Sequence, residues 1–156
     1  MSPSGPPSAR LADLGFTLPD VVPPLAAYVP ASRAGDLVFT AGQVPIRDGA
    51  MLHVGKVGAE VSEVDARACA EQCALNALAA VASVAGGLDA IQQVVKVVVY
   101  VASTPDFVGQ PTVANGASEL LGAVFGDAGQ HARSAVGAAS LPLDAPVEVE
   151  LVVRVA

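Results

Sequence analysis

The chain has 156 residues, of which 53% are hydrophobic and only 15% charged, and its formal net charge is −7. Such a length suits a single domain that can bury roughly 70% of its unfolded surface without help from disulfides or metal. Only eight lysines and arginines are present, which disfavours nucleic acid and anionic membranes as partners, because both are bound through clustered basic residues.

The amino-terminal segment predicts disorder ahead of a single domain. Residues 1–9 are rich in Pro, Ser and Gly, so we expect them to be disordered and the domain to occupy residues 10–156. The start lacks the basic and apolar regions of a signal peptide, and only two cysteines are present, which together indicate the reducing cytoplasm. The longest strongly apolar run, residues 94–102, is too short to cross a bilayer and contains Lys96, so we expect no membrane span.

Turn chemistry and short apolar runs predict the first elements. We expect a helical turn over residues 10–14 and a strand over residues 37–40, Leu-Val-Phe-Thr. Residues 47–50, Arg-Asp-Gly-Ala, predict a hairpin turn whose return strand covers residues 51–54.

A long alanine-rich helix is predicted next. Ser62 followed by acidic residues is typical of an N-cap, and the helix is expected to run to Ala85 and to end at Gly86. Its apolar positions fall mostly on one face. Cys69 and Cys73 lie four residues apart on that face and are assigned to the core, because no second Cys pair or His cluster would complete a metal site.

The second half of the chain predicts three strands and a helix. Residues 94–101 are β-branched almost throughout and do not alternate, so both faces of this strand should be covered, one by helix and the other by a neighbouring subunit's sheet. A helix weakened by two glycines is expected over residues 112–125, followed by strands over 134–139 and 147–155. The element order βββαβαββ describes an α+β fold, a sheet layered with two helices.

The carboxyl-terminal third holds the residues best suited to chemistry. Arg133 stands immediately before an apolar strand. Residues 141–146, Leu-Pro-Leu-Asp-Ala-Pro, predict a turn, and the strand after it alternates so that Glu148 and Glu150 share one face. By residue type alone, the arginine could equally pair with a surface carboxylate, and the glutamates could form a solvated strand face.

These residues resemble the carboxyl-terminal signature of the RidA (YjgF) family of reactive intermediate deaminases, which is an Arg-Ser pair, a Leu-Pro turn and a Val-Glu-Val-Glu strand. Upstream, residues 39–45, Phe-Thr-Ala-Gly-Gln-Val-Pro, are similar to the family's first-hairpin motif. Residues 89–100 and Asn115 are similar to its central strand and to the start of its second helix. The resemblance covers about residues 25–155.

The resemblance implies a chorismate-mutase-like fold, one mixed sheet with two helices on one face, assembled as a homotrimer with clefts between subunits. It implies hydrolysis of small reactive 2-enamine or 2-imine acids, such as 2-aminoacrylate, to 2-keto acids and ammonia, without metal or organic cofactor. In this interpretation Arg133 binds the substrate carboxylate bidentately, and Glu148 holds or deprotonates the attacking water. Tyr28, Gly42 and Asn115 complete the expected substrate site.

Departures from the family pattern favour an alternative, a non-catalytic protein that binds a small carboxylate metabolite in the same cleft. The family often has Ser where Ala41 stands, and Gly-Pro where residues 26–27 are Ala-Ala. His131 replaces a proline found in many relatives and is a candidate to line the cleft. The segment 106–115 is about one helical turn longer than usual. An endoribonuclease activity, sometimes attached to the family name, is disfavoured by the acidic charge.

Overall fold

The computed structural model describes residues 4–156, so the disorder predicted for residues 1–3 lies outside the described residues. Three α-helices and seven strands are present in the described part. They are α1 (Pro7–Asp13), β1 (Ala31–Ala34), β2 (Leu37–Thr40), β3 (Ile46–Arg47), β4 (Ala50–Met51), α2 (Glu63–Ala85), β5 (Ile91–Ala102), α3 (Gln110–Phe125), β6 (Ala132–Ala138) and β7 (Val147–Val155).

Five of these strands form one mixed sheet in the order β1-β2-β7-β5-β6, in which only β5 and β6 run parallel. The β3–β4 hairpin stands apart as a two-stranded sheet. Strand β7 lies at the centre because its odd-numbered residues, Val147 to Val155, are all apolar and buried against the helices. The predicted α+β class and mixed sheet are confirmed, although four strands rather than three precede α2.

Helices α2 and α3 both pack on the face of the sheet that carries the buried valines of β5 and β7. As predicted, the Ser62 hydroxyl caps α2 by accepting from the Asp65 N–H at 3.1 Å, and Gly86 ends the helix with φ at 90°. The prediction that α2 buries mostly one face is wrong, because residues 72–81 are buried without interruption. Strands β1, β2 and β7, the hairpin and α3 all contact this helix.

Helix α2 is also long and apolar enough to cross a membrane, by length and composition alone. However, 67% of its most apolar window is buried inside the described chain. That burial is typical of the central helix of a folded core, since a membrane span would turn its apolar residues toward lipid.

A glycine explains how closely α3 approaches α2. A Cβ added to Gly116 would overlap the backbone carbonyl of Arg67 on α2, whereas a Cβ added to Gly122 would have no neighbour within 4 Å. Of the two glycines expected to weaken α3, one is therefore required by helix packing and the other is not.

The sheet face opposite the helices is only partly covered in a single chain. Along β5, Val97, Val99 and Val101 are fully buried, while Val98 and Tyr100 between them are not. We call this side the open face; it carries Phe39, Val98, Tyr100, Val136 and Val152. Phe39 and Val136 are 45% and 44% exposed. An exposed apolar sheet face is typical of an interface, and its covering by a second copy stays a prediction.

The amino-terminal boundary of the domain differs from the prediction. Helix α1 begins at Pro7, where a proline at the first turn costs no hydrogen bond. Its Ser8 donates from both its backbone N–H and its hydroxyl to the carboxylate of Asp89, at 2.8 and 2.7 Å. Residues 7–9, for which the sequence predicts disorder, thus lie in the first turns of α1 beside a contact distant in sequence.

Two strand boundaries also differ. The return strand of the hairpin is Ala50–Met51 rather than residues 51–54, and it follows the two-residue turn Asp48-Gly49, in which both residues have positive φ. Strand β6 begins at Ala132, so Arg133 lies within the strand rather than immediately before it.

Candidate functional site

Arg133 points to the helical side of the sheet and is held there by α3. It pairs in register with the fully buried Val97, and its Nη1 donates to Asn115 Oδ1 at 2.8 Å and to Ser118 Oγ at 3.2 Å. The side chain is partly buried, and within the described part of the chain its Nε and Nη2 have no hydrogen-bond partner. The guanidinium therefore keeps one edge of free donors, the edge that binds a carboxylate bidentately.

The side chain of Asn115 was expected to contact substrate directly. Its carboxamide oxygen instead accepts from Arg133, so the contact it makes within the chain positions the arginine. The structure thus brings two predicted site residues together, with Ser118 as a third member that the sequence did not indicate.

Glu148 lies on the open face, in β7, beside the loop that follows β2. A Cβ added to Gly42 would lie 2.5 Å from Glu148 Oε2, so the carboxylate rests directly on the backbone of this glycine and would have to move to admit a larger residue. With Tyr28 and Pro142, these residues line a pocket of about 60 Å³, enough for a few water molecules. Tyr28, Gly42 and Glu148 are therefore neighbours.

The surroundings of Glu148 favour its protonated form. Burial is the larger cause that raises the pKa of this carboxyl above its usual value, and the nearby charge of Glu150 raises it further. Glu150 itself accepts a hydrogen bond from the Tyr100 hydroxyl at 2.9 Å. A half-buried carboxyl with a raised pKa is a better proton acceptor than an exposed one, which suits general base chemistry.

Tyr28 stands at the exposed rim of this pocket. Its hydroxyl accepts a hydrogen bond from the Leu25 N–H at 3.2 Å, within a turn of the amino-terminal segment. The hydroxyl proton has no acceptor in the described part of the chain, so it remains available to a bound ligand.

A single chain does not bring Arg133 and Glu148 together. In β5, Val97 is the partner of Arg133. The partner of Glu148 is Tyr100, three residues later in the same strand. Side chains at odd spacing in a strand point to opposite faces. The two site residues also lie two strands apart, so strand geometry separates their Cα atoms by roughly 14 Å. A common site would therefore need Arg133 and Glu148 from different copies of the chain.

The two cysteines take no part in either cluster. Cys69 and Cys73 are fully buried, which confirms the predicted core packing. Burial raises the pKa of Cys69 to about 11 and that of Cys73 well above its usual value, so neither thiol is a ready nucleophile. Among residues 4–156, no three His, Cys, Asp or Glu side chains are grouped as a metal ion would require.

Sequence reasoning missed two residues that the geometry connects to the site. Ser118 could have been found from its position three residues after Asn115, since residues at that spacing share a helix face. Tyr100 stands directly opposite Glu148 in the antiparallel β5–β7 pair. Its position follows from strand register, which no local pattern indicated.

Comparisons with known proteins identify the family of this chain. Residues 8–155 match the model of the family described as "YjgF/chorismate_mutase-like, putative endoribonuclease". The chain is 40% identical to Protein TCP17 of Trypanosoma cruzi, over 97% of this chain and 95% of that protein.

Two crystal structures are similar over nearly the whole chain. One is the protein Atu1372 of Agrobacterium tumefaciens, whose function is unknown; it is 44% identical with a TM-score of 0.89, over 96% of this chain and 93% of that one. The other is a protein of Shewanella oneidensis described as a "putative endoribonuclease", 30% identical with a TM-score of 0.93, over 97% of this chain and 100% of that one. The chain therefore belongs to the YjgF/chorismate mutase-like family.

Proposed function

We propose that this protein hydrolyses small 2-imino acids, formed from 2-enamine acids such as 2-aminoacrylate, to 2-keto acids and ammonia. One observation carries the proposal: Arg133 is partly buried, with Nη1 fixed by Asn115 and Ser118 while Nε and Nη2 stay available for a carboxylate. Membership of the YjgF family supports a small-molecule-binding or deaminase-type role.

In the proposed reaction, Glu148 moves protons. Water adds to C2 of the imine while Glu148 takes a proton from it and passes that proton to the nitrogen, which gives a carbinolamine. The carbinolamine then collapses: its hydroxyl proton goes through Glu148 to the nitrogen, the C–N bond breaks, and ammonia leaves with the 2-keto acid. The raised pKa of Glu148 supports this role, because it brings proton gain and proton loss closer to neutral pH.

The proposal requires a site formed between copies of the chain. Arg133 and Glu148 lie on opposite sides of one sheet, so the substrate would be held by Arg133 of one copy and attacked beside Glu148 of another. The apolar open face supports such contact. Because the two halves lie on opposite sides of the sheet, the contact between copies is head-to-tail, and a homotrimer is the smallest closed ring of such contacts.

The first experiment measures ammonia release from 2-aminoacrylate generated in situ. Arg133→Ala should lower kcat/KM at least about 100-fold, because two charge-assisted hydrogen bonds to the carboxylate are lost. Arg47→Ala, an exposed arginine of the β3–β4 hairpin, is the matched control and should keep the wild-type rate. No wild-type rate above buffer across several 2-imino acids would refute the deaminase proposal.

A second experiment tests the shared site. Arg133→Ala and Glu148→Gln chains, each inactive alone, are unfolded together in equal amounts and refolded. If each site takes its arginine and its glutamate from different copies, random assembly should restore about a quarter of the wild-type activity. Recovery indistinguishable from zero, with assembly confirmed by mass, would argue against a site between copies.

A second candidate function is carboxylate binding without turnover, with the same two clusters as the site. Ala41 favours it: this residue uses its N–H for the Pro30 carbonyl and carries no hydroxyl next to Gly42, the residue on which Glu148 rests. Calorimetry with pyruvate, combined with the ammonia assay, separates the two functions: the binding protein should show Arg133-dependent affinity for pyruvate and no ammonia release from imino acids.

A further inference from the structure

A chain of hydrogen bonds runs from Arg133 back into the fold. Arg133 Nη1 lies 3.2 Å from Ser118 Oγ, Ser118 Oγ lies 2.9 Å from His131 Nε2, and His131 Nδ1 lies 2.6 Å from the backbone carbonyl oxygen of Gly129. All three side chains are partly buried. These three hydrogen bonds therefore link the candidate carboxylate-binding group to the backbone just after α3.

The chemistry of the two ends determines the direction of the first and the last of these hydrogen bonds. A carbonyl oxygen only accepts, so His131 Nδ1 must carry a proton and donate to Gly129. A guanidinium only donates, so Ser118 Oγ accepts from Arg133 and has its own proton left for His131 Nε2. When Ser118 donates to His131 Nε2, each group donates to the next in one direction, an arrangement in which hydrogen bonds strengthen one another.

The carbonyl at the far end is itself held in place. A Cβ added to Gly129 would overlap the backbone carbonyl of Leu121 on α3, so this segment packs against the helix at a distance that only glycine permits. The series of hydrogen bonds is consequently anchored on rigid backbone at Gly129, and its other end is the Arg133 guanidinium.

We propose that Ser118 and His131 are positioning residues for the carboxylate site, which makes this inference dependent on the proposed function. Arg133 Nη1 carries two hydrogens; Asn115 Oδ1 takes one and Ser118 Oγ takes the other. With both engaged, the guanidinium plane is fixed, and only the Nε–Nη2 edge remains for a ligand. The substrate carboxylate must therefore approach side-on, and a ligand that needs the Nη1–Nη2 end of the guanidinium is excluded.

The test measures pyruvate affinity by calorimetry and KM and kcat by ammonia release, with four variants. Ser118→Ala and His131→Ala should each weaken pyruvate binding and raise KM about tenfold, the effect of losing one hydrogen bond to a charged group. The double variant should be no worse than either single one, because both act through the same bond. His131→Gln should recover most of the affinity, since its amide oxygen can accept the Ser118 proton.

A control variant and the tautomer of His131 distinguish a positioning role from a general loss of structure. Ser83→Ala removes a hydroxyl that, within residues 4–156, donates to the Ala80 carbonyl on α2 alone, and it should leave affinity and KM unchanged. Long-range proton–nitrogen NMR of the free protein should show His131 protonated at Nδ1.

The outcomes are distinguishable. If wild type binds pyruvate through Arg133 while Ser118→Ala and His131→Ala bind as tightly, or if their effects add, the inference is overturned and the proposed function stands. An Nε2–H tautomer of His131 would overturn the inference by itself. If wild type shows Arg133-dependent binding but no turnover, the deaminase proposal fails and the four variants still decide the inference. Absence of any Arg133-dependent binding by the wild type would overturn both.

Discussion

The packing of α3 on α2 allows a sharp prediction from two glycines of one helix. Alanine has about 1 kcal/mol more helix propensity than glycine, so Gly122→Ala should stabilise the fold by that amount, because its Cβ meets no neighbour. At Gly116 the same gain is opposed by a clash with the Arg67 backbone carbonyl, which cannot rotate away. Overpacking of this kind costs about 3 kcal/mol at the upper end of its usual range. After the propensity gain of about 1 kcal/mol, the free energy of unfolding of Gly116→Ala should be about 2 kcal/mol lower than that of wild type.

Urea unfolding followed by circular dichroism measures both variants, and for a chain of this length 1 kcal/mol corresponds to about 2–4 °C in Tm. The site provides a second readout, because Gly116 lies between Asn115 and Ser118 on α3. A helix pushed away from α2 would misplace both partners of Arg133, so pyruvate affinity should fall for Gly116→Ala and not for Gly122→Ala. Two variants with equal stability would refute the claim that Gly116 sets the distance between the helices.

Three further predictions concern the clusters on the open face. Gly42→Ala should displace the Glu148 carboxylate and lower kcat, with Tm within a few degrees of wild type; an unchanged kcat would show that the carboxylate position is immaterial. Because the folded chain raises the pKa of Glu148, stability falls as pH rises from its usual pKa through the folded one. Glu148→Gln should therefore gain stability relative to wild type at neutral pH and lose that advantage in acid, in urea titrations at several pH values; an advantage that grows toward low pH would contradict the shift. Val136→Asp should give a folded monomer without turnover, by light scattering and ammonia release, and a fully active oligomer would show that the open face is not the interface.

Local chemistry was sufficient to predict some elements and not others. Strand β7 and the ends of α2 were predicted closely, because period-two alternation, an N-cap serine and a C-terminal glycine are readable within a few residues. The side of the sheet on which Arg133 lies was not predicted. It depends on the register of the parallel β5–β6 pair, in which Val97 aligns with Arg133, and these two strands are connected through α3. Burial of α2 on all sides likewise results from segments distant in sequence.

The candidate site divides into two halves, each of which is held within one chain. Arg133 is oriented by α3 on the helical side, and Glu148 is seated on Gly42 on the open side. Neither half needs a second copy for its own geometry, so assembly has only to bring two finished halves together rather than to order them. The entropy cost of fixing the arginine and the glutamate is then incurred during folding. Less of the association and binding free energy is therefore lost to ordering these side chains when substrate binds. A chain built this way can keep carboxylate affinity when assembly is lost, while turnover, which needs both halves at one substrate, cannot survive it.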